Sequence, residues 1–300
     1  MKTIAIASGK GGAGKTSVMA ALARYLGTSA VACDCDVDAA NTAIALGTSV
    51  VSEEEYWSGD GYSIETGRCV SCGACAAVCR FCAIEACGKS FRIDETSCER
   101  CASCLDACPA GAVIATRKKG GSLFVSSSDD GAVLVHAELV PGEDTSGKLV
   151  RAVRQRAEKE AQDSARFVVV DSPPGIGCPV IASLSGADLA LVVVEAGKSG
   201  IRDARRLFEL LAGMNRRTVS VINKTGIDLS MDSEAKALAR EFGSMIAAEI
   251  PFHERFRKST ELGEAWVDAE DGETRILSRL MCGKIMDQVQ LINIREGEKA

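Results

Sequence analysis

The 300 residues carry 35 Lys and Arg against 41 Asp and Glu, a net charge of −6, with 46% hydrophobic and 25% charged residues. That length suits one large domain with a sizeable core plus a small module, and the acidic balance excludes a general attraction to nucleic acid or anionic membranes. No apolar run approaches the ~20 residues that span a bilayer. Met1-Lys2 leads straight into an apolar strand rather than a secretory signal, so a reducing cytoplasm is the expected compartment.

In chain order, apolar runs at Ile4–Ala7, Ala30–Cys33, Phe167–Val170, Leu189–Val194, Val219–Ile222 and Met245–Ile250 lack polar alternation, as strands do when both faces of a parallel sheet are covered. Helical patterns near 15–26, 148–162, 201–212, 233–242 and 274–290 fall between them. The alternation predicts an α/β fold with a doubly wound, mostly parallel sheet. The block from 59 to 118 breaks this rhythm: it is cysteine-rich, has no long helix or long apolar strand, and lies between glycine-containing junctions. The strand pattern resumes at Leu123-Phe124-Val125. The expected organisation is therefore one domain built from 1–58 and 119–300, with 59–118 as an inserted small α+β module.

Ser8-Gly9-Lys10-Gly11-Gly12-Ala13-Gly14-Lys15-Thr16-Ser17 follows the first strand and opens the first helix. In that context a glycine-rich loop turns its backbone N–H groups around phosphates, and the helix N-terminus adds its dipole. Residues 11–17 (Gly11, Gly12, Ala13, Gly14, Lys15, Thr16 and Ser17) are the expected cradle. Lys15 is assigned to the β- and γ-phosphates, Thr16 to Mg²⁺ and Ser17 to the α-phosphate end. Ser146-Gly147-Lys148 is expected to cap the helix that follows.

Fourteen cysteines are present and ten lie between Cys69 and Cys108. Cys69, Cys72, Cys75 and Cys79 form one run, and Cys98, Cys101, Cys104 and Cys108 repeat it, the second ending in Pro109. This is the spacing of dicluster ferredoxins, in which the fourth cysteine of each run ligates the other run's cluster. Cluster one would take Cys69, Cys72, Cys75 and Cys108; cluster two would take Cys98, Cys101, Cys104 and Cys79. Zinc is the competing reading, but its ligands come in spaced pairs. Arg80 replaces the expected proline after Cys79. Cys82 and Cys87 are extra and read as small buried residues, as do Cys33 and Cys35; Cys282 lies in the C-terminal helix and carries no expected role.

The string Lys10-Gly11-Gly12-Ala13-Gly14-Lys15-Thr16 resembles the deviant Walker A motif of the MinD/ParA/nitrogenase-iron-protein superfamily. The resemblance implies an ATPase whose Lys10 crosses a homodimer interface to the partner's nucleotide. Asp34-Cys35-Asp36-Val37-Asp38 stands where that family has switch I; Asp36 is chosen to orient the attacking water, with Asp38 as rival. Val168-Val169-Val170-Asp171 resembles Walker B running into switch II, which makes Asp171 a Mg²⁺ holder. Asn223-Lys224-Thr225-Gly226 begins like the guanine-reading motif of GTPases but lacks its Asp, which favours ATP with Asn223 on the adenine edge. Pro251 and Phe252 resemble the loop against the base. Cys178 lies seven residues after Asp171, at the offset of a cluster-bridging cysteine of the nitrogenase iron protein, whose second bridging cysteine has no counterpart here.

With its inserted module the chain resembles MinD-superfamily ATPases carrying a dicluster ferredoxin domain. The implied cofactors are ATP or ADP, Mg²⁺ and two 4Fe–4S clusters. The implied function is nucleotide-gated electron transfer with a redox or metallocluster partner protein. The alternatives are an iron–sulfur carrier or assembly factor, and a MinD-like positioning ATPase in a complex such as the orange-protein complex. Neither nucleic-acid binding nor stable membrane anchoring is expected: the C-terminal helix lacks a basic face. The arginines at 151, 154 and 156, and at 202, 205 and 206, read as solvated helix faces.

Overall fold

Valine- and isoleucine-rich runs form the inner strands of a sheet, because an apolar residue at every position can be buried only where both faces are covered. The computed structural model describes residues 1–37, 41–140, 147–162 and 165–297, the side chains of 58–60, 118 and 292–297 excepted. In chain order the elements begin β1 (Lys2–Ala7), α1 (Lys15–Leu26), β2 (Ala30–Asp34), α2 (Thr42–Leu46), β3 (Ser49–Ile64), α3 (Ala74–Val78), β4 (Ile84–Cys87), β5 (Ser90–Ile93), α4 (Ser103–Ala107), β6 (Val113–Ser127) and β7 (Val133–Leu139). They continue with α5 (Gly147–Gln162), β8 (Phe167–Asp171), α6 (Cys178–Leu184), β9 (Leu189–Glu195), α7 (Lys198–Gly213), β10 (Thr218–Thr225), α8 (Leu229–Glu241), β11 (Met245–Pro251), α9 (Glu254–Glu261) and α10 (Gly272–Gly297).

The large sheet has the order β11-β10-β9-β1-β8-β2-β7-β6-β3. Strands β11 to β7 in that order all pair parallel, with Ile6 and Asp34 both in register with Asp171. The fold is thus α/β with a doubly wound, mostly parallel sheet. Ile4, Ile6, Val169, Leu191 and Val221 pack in one core cluster with Val18, Met19 and Leu22 of α1 and with Met281, Cys282, Ile285 and Val289 of α10. The last helix therefore spends its apolar stripe on the core, although Ile276, Leu280 and Leu291 remain exposed. Among the described residues no helix is long and apolar enough to cross a membrane.

By its contacts the chain divides into two compact units. The first comprises Met1–Glu54, Leu123–Glu138 and Thr145–Ala300, and the second Glu55–Ser122 and Leu139–Asp144; the span 59–118 falls inside the second. The stretch 59–118 holds no long apolar strand, but β3 and β6, both of mixed polarity, enter it from either end and run for 16 and 15 residues. Sheet pairing supplies backbone hydrogen bonds that override the strand-breaking glycines at 59, 61, 120 and 121.

The second unit is small. Its helices α3 and α4 pack on each other, and β4 and β5 form an antiparallel hairpin pairing Ile84 with Ile93 and Cys87 with Ser90. Its buried cluster consists of Cys75, Ile93, Cys104 and Val113, with Tyr62, Ile64, Phe91 and Leu105 among the partly buried residues around it.

Candidate functional site

In the first unit a cavity of about 650 Å³ opens at the C-terminal ends of the strands, a volume that fits a small-molecule ligand. Ser8, Gly11, Gly12, Gly14, Lys15, Thr16 and Ser17 line one side; Asp36, Asn41, Pro173, Pro174, Gly177, Pro179 and Val180 line the rest. The site lies where β1 has β8 and β9 on its two flanks, the crevice in which open α/β sheets bind ligands. Gly12 and Gly14 have φ of 75° and 93°, a region that L side chains rarely adopt. Gly14 also has Asn223 Nδ2 2.2 Å from where a Cβ would stand.

The charged centre is tightly paired. Lys15 Nζ lies 2.6 Å from Asp171 Oδ1 and 3.6 Å from Asp36 Oδ2, and the Thr16 hydroxyl donates to Asp171 Oδ2 at 2.7 Å. Burial pushes the Asp171 carboxyl above its usual range, against the lowering pull of Lys15. Asp34, beside it in register, rises to about 7 through burial and the neighbouring Asp171 charge. Asp34 also accepts from the backbone N–H of Asp36 at 2.9 Å and of Thr42 at 3.4 Å, which fixes both ends of the acidic loop. Asp38 and Ser146 lie outside the described residues.

Asn223 is buried, and its amide serves the phosphate loop. Its Nδ2 donates to the Ala13 carbonyl at 2.8 Å, and its Oδ1 accepts from the Lys224 N–H at 2.9 Å. Pro251 ends β11, and Phe252 is exposed, its N–H bonded to the Thr225 carbonyl. None of these three residues lines the cavity. Lys10 does not line it either: its ammonium rests 2.8 Å from Glu195 Oε1 and 3.1 Å from Ser199 Oγ. Lys224 Nζ meets the other Glu195 oxygen at 3.0 Å. Burial alone would raise the Glu195 carboxyl, but the Lys10 and Lys224 contacts hold it below the ordinary carboxylate range. Nothing in the sequence pattern marks Glu195, because its partner Lys10 is 185 residues away.

The loop also depends on close packing behind it. A Cβ on Gly9 would stand 2.3 Å from the Asp203 backbone in α7. Gly9→Ala is therefore expected to lower stability by about 1–3 kcal/mol through overpacking and to weaken nucleotide binding. Chemical denaturation and a nucleotide titration of the same variant check both effects, and an unchanged midpoint would refute the packing argument.

In the second unit the eight cysteines of the two runs line two separate cavities. Cys69, Cys72, Cys75 and Cys108 line one; Cys98, Cys101, Cys104 and Cys79 line the other. Each run's last cysteine thus faces the other run's cavity. The two loops share a backbone device as well. Ser71 and Gly73 flank Cys72 with φ of 57° and 75°, and Arg100 and Ala102 flank Cys101 with φ of 53° and 65°. Three of those four are not glycine, so the left-handed conformation is held at a cost of about 1 kcal/mol or more each. Left-handed residues of this kind are an ingredient of the anion-binding nests found at phosphate and Fe–S sites.

Hydrogen bonding favours thiolates at several of these positions. The Ala112 N–H donates to Cys108 Sγ at 3.2 Å, and the Val113 and Ala112 amides bring the Cys108 thiol down. The Ser90 hydroxyl and Ser71 amide do the same for Cys69, and Ser103 for Cys101. Burial instead raises Cys75 and Cys104. Among the described residues no group of three or more His, Cys, Asp or Glu converges on a single-ion site; a cubane spreads its ligands around a cage and does not require such convergence. The donor set, four thiols per cavity with backbone amides bonded to Cys69, Cys101 and Cys108, fits a 4Fe–4S cluster in each.

Three side-chain expectations are corrected. Cys82 and Cys87 are exposed rather than buried, Cys82 because it sits on a turn at φ 52° and Cys87 because it ends β4 next to the hairpin turn. Arg154, expected on a solvated face, is buried, and its guanidinium donates to the Ala182 and Ser185 carbonyls at the end of α6. Cys33 and Cys35 are buried, as expected of core packing, with their sulfurs 3.7 Å apart, and Cys282 is buried too. Cys178 is exposed at the start of α6.

Residues 4–266 match the CobQ/CobB/MinD/ParA nucleotide binding domain family. The chain is 36% identical over 227 residues to an uncharacterized protein of Methanocaldococcus jannaschii, covering 75% of this chain and 79% of that one. A second uncharacterized protein of that organism is 26% identical over 230 residues, 76% of this chain and 81% of its own length. Among solved structures, the MinD cell division protein of Aquifex aeolicus aligns at TM-score 0.55 and 20% identity, covering 96% of this chain and 98% of that one. MinD of Pyrococcus horikoshii, complexed with Mg-ADP, aligns at TM-score 0.57 and 16% identity, covering 97% and 98%. These likenesses show the fold. The family match over most of the length, together with the glycine loop and its paired Lys15 and Asp171, leads to one conclusion: the chain belongs to the CobQ/CobB/MinD/ParA nucleotide-binding domain family.

Proposed function

We propose that this chain is a Mg-ATP-binding and ATP-hydrolysing protein with two 4Fe–4S clusters in its second unit. It works as an ATP-gated homodimer that couples nucleotide state to electron transfer with a partner protein. Lys15, which pairs with Asp171 and Asp36, serves the β- and γ-phosphates. Asp171 and Thr16 hold Mg²⁺, which keeps several waters of its own. Asp36, positioned through its N–H by Asp34, orients the attacking water; positioning and electrostatics carry most of phosphoryl transfer. Lys10 serves the partner's nucleotide and adds positive charge where the transition state is most negative. The clusters, when bound, supply one-electron redox chemistry; Cys69, Cys72, Cys75 and Cys108 would hold one, and Cys98, Cys101, Cys104 and Cys79 the other.

The observation that carries the cluster reading is the exchange of Cys79 and Cys108 between the two cavities, as the dicluster pattern requires. The deciding experiment is an anaerobic redox titration of the purified holoprotein followed by EPR, with and without Mg-ATP. The expected result is cluster signals whose potential or line shape moves with nucleotide. Protein purified anaerobically without iron would refute the clusters, and signals indifferent to Mg-ATP would refute the coupling.

A further inference from the structure

Lys10 belongs to the phosphate loop by sequence but not by direction. Its side chain leaves the cavity and settles between Glu195, at the end of β9, and Ser199, in the first turn of α7. Glu195 is well seated for this: a Cβ on Gly200 would stand 2.4 Å from the Glu195 carbonyl oxygen, so strand end and helix start are pressed together. The same carboxylate holds Lys224, which follows Asn223 and has φ of 60°. Asn223 in turn holds the Ala13 carbonyl of the loop. Lys10, Glu195, Lys224, Asn223 and Ala13 thus form a closed circuit that begins and ends in the phosphate loop. One carboxylate shared by two ammonium groups, all only partly exposed, is neutralised more than once over. Loss of either cation leaves it more strongly bound to the other.

We propose that Glu195 is an autoinhibitory latch that holds Lys10 in its own protomer until nucleotide-dependent pairing of two copies pulls it away. The inference rests on the reading above that Lys10 serves the partner's nucleotide, and it adds what restrains that lysine beforehand. Pairing must break the Lys10–Glu195 bond in each copy, so the latch raises the ATP concentration at which dimers form. Lys224 tunes the latch by competing for the same carboxylate.

The test is the ATP concentration giving half-maximal dimer, measured with Mg²⁺ by sedimentation velocity on the full-length holoprotein. Glu195→Gln keeps the shape of the side chain and removes its charge. It is expected to lower that concentration by up to about fivefold for each Lys10–Glu195 pair released, the equilibrium equivalent of losing a partly exposed ion pair. Lys224→Met leaves Lys10 as the sole cation on Glu195 and is expected to shift the concentration upward. A general loosening of the loop would move both variants the same way, so opposite shifts separate a latch from a structural role. If wild type dimerises with ATP but both variants match it, or both weaken, the latch is wrong. If wild type does not dimerise with ATP, the underlying reading of Lys10 fails and the latch falls with it.

Discussion

Lys15→Met is expected to abolish nucleotide binding and to destabilise the nucleotide-free protein at the same time. The first effect follows from the lost contacts to two phosphates. Charge-assisted hydrogen bonds are worth about 1.5–3 kcal/mol each, so affinity should fall at least about a hundredfold. The second follows from the resting geometry. Lys15 is buried against a fully buried Asp171, and removing one partner of such a pair costs about 3–5 kcal/mol because the other charge is stranded.

The second effect depends on pH. Burial and the neighbouring Asp171 charge raise Asp34 in the folded protein from the ordinary carboxyl value of 3.8 to about 7. A carboxyl raised on folding stabilises the native state at low pH, and that stability is lost as pH rises through the folded value. Wild type free of nucleotide and Mg²⁺ should therefore melt at a lower temperature above neutrality than below it. In Lys15→Met both Asp34 and Asp171 lose the cation that lowers them, so both move further up. The deficit against wild type should be small near about pH 6, where the carboxyls take up protons, and large above about pH 8. Thermal melts across that range check it; a deficit constant with pH would mean that the lysine stem, not its charge, supports the site.

Removal of iron is expected to unfold the second unit while the first stays folded. Among the described residues the buried apolar cluster of the second unit is Cys75, Ile93, Cys104 and Val113, and two of those four are cysteines assigned to the clusters. A module of this size with so thin a core needs a metal or covalent staple, and ligand binding is then folding free energy. Hydrogen exchange should show α3, α4, β4 and β5 losing protection on anaerobic chelation, with β1, β8 and β9 unchanged. Cys75→Ser and Cys104→Ser should each remove about half of the bound iron, since each cysteine belongs to one cavity. Retained protection in the iron-free protein would show that the module folds on its apolar contacts alone, and full iron in both variants would refute the ligand sets.

Some features were legible in the sequence for local reasons. A glycine loop between an apolar strand and an amphipathic helix fixes its own geometry, because its chemistry is contiguous. Apolar runs such as Val168–Val170 and Leu191–Val194 predict buried strands because nothing in them would tolerate water. The cysteine runs were legible as a repeat, and the dicluster pattern they match assigns each fourth cysteine to the other run's cluster.

What only the tertiary structure decided are contacts between residues far apart in the chain. Glycines at 59, 61, 120 and 121 marked junctions locally, but sheet pairing draws β3 and β6 through them. Arg154 read as a surface arginine until the carbonyls at the end of α6 gave it a buried seat. Asn223 carried a base-reading motif, yet its amide is bonded to Ala13, 210 residues away. The sequence by itself determined the phosphate loop, the strand pattern and the two cysteine runs, because each is a short-range pattern of chemistry. The fold alone determined that Lys10 rests on Glu195 and Asp34 beside Asp171, because parallel strands joined by long crossovers bring together residues that no local pattern connects.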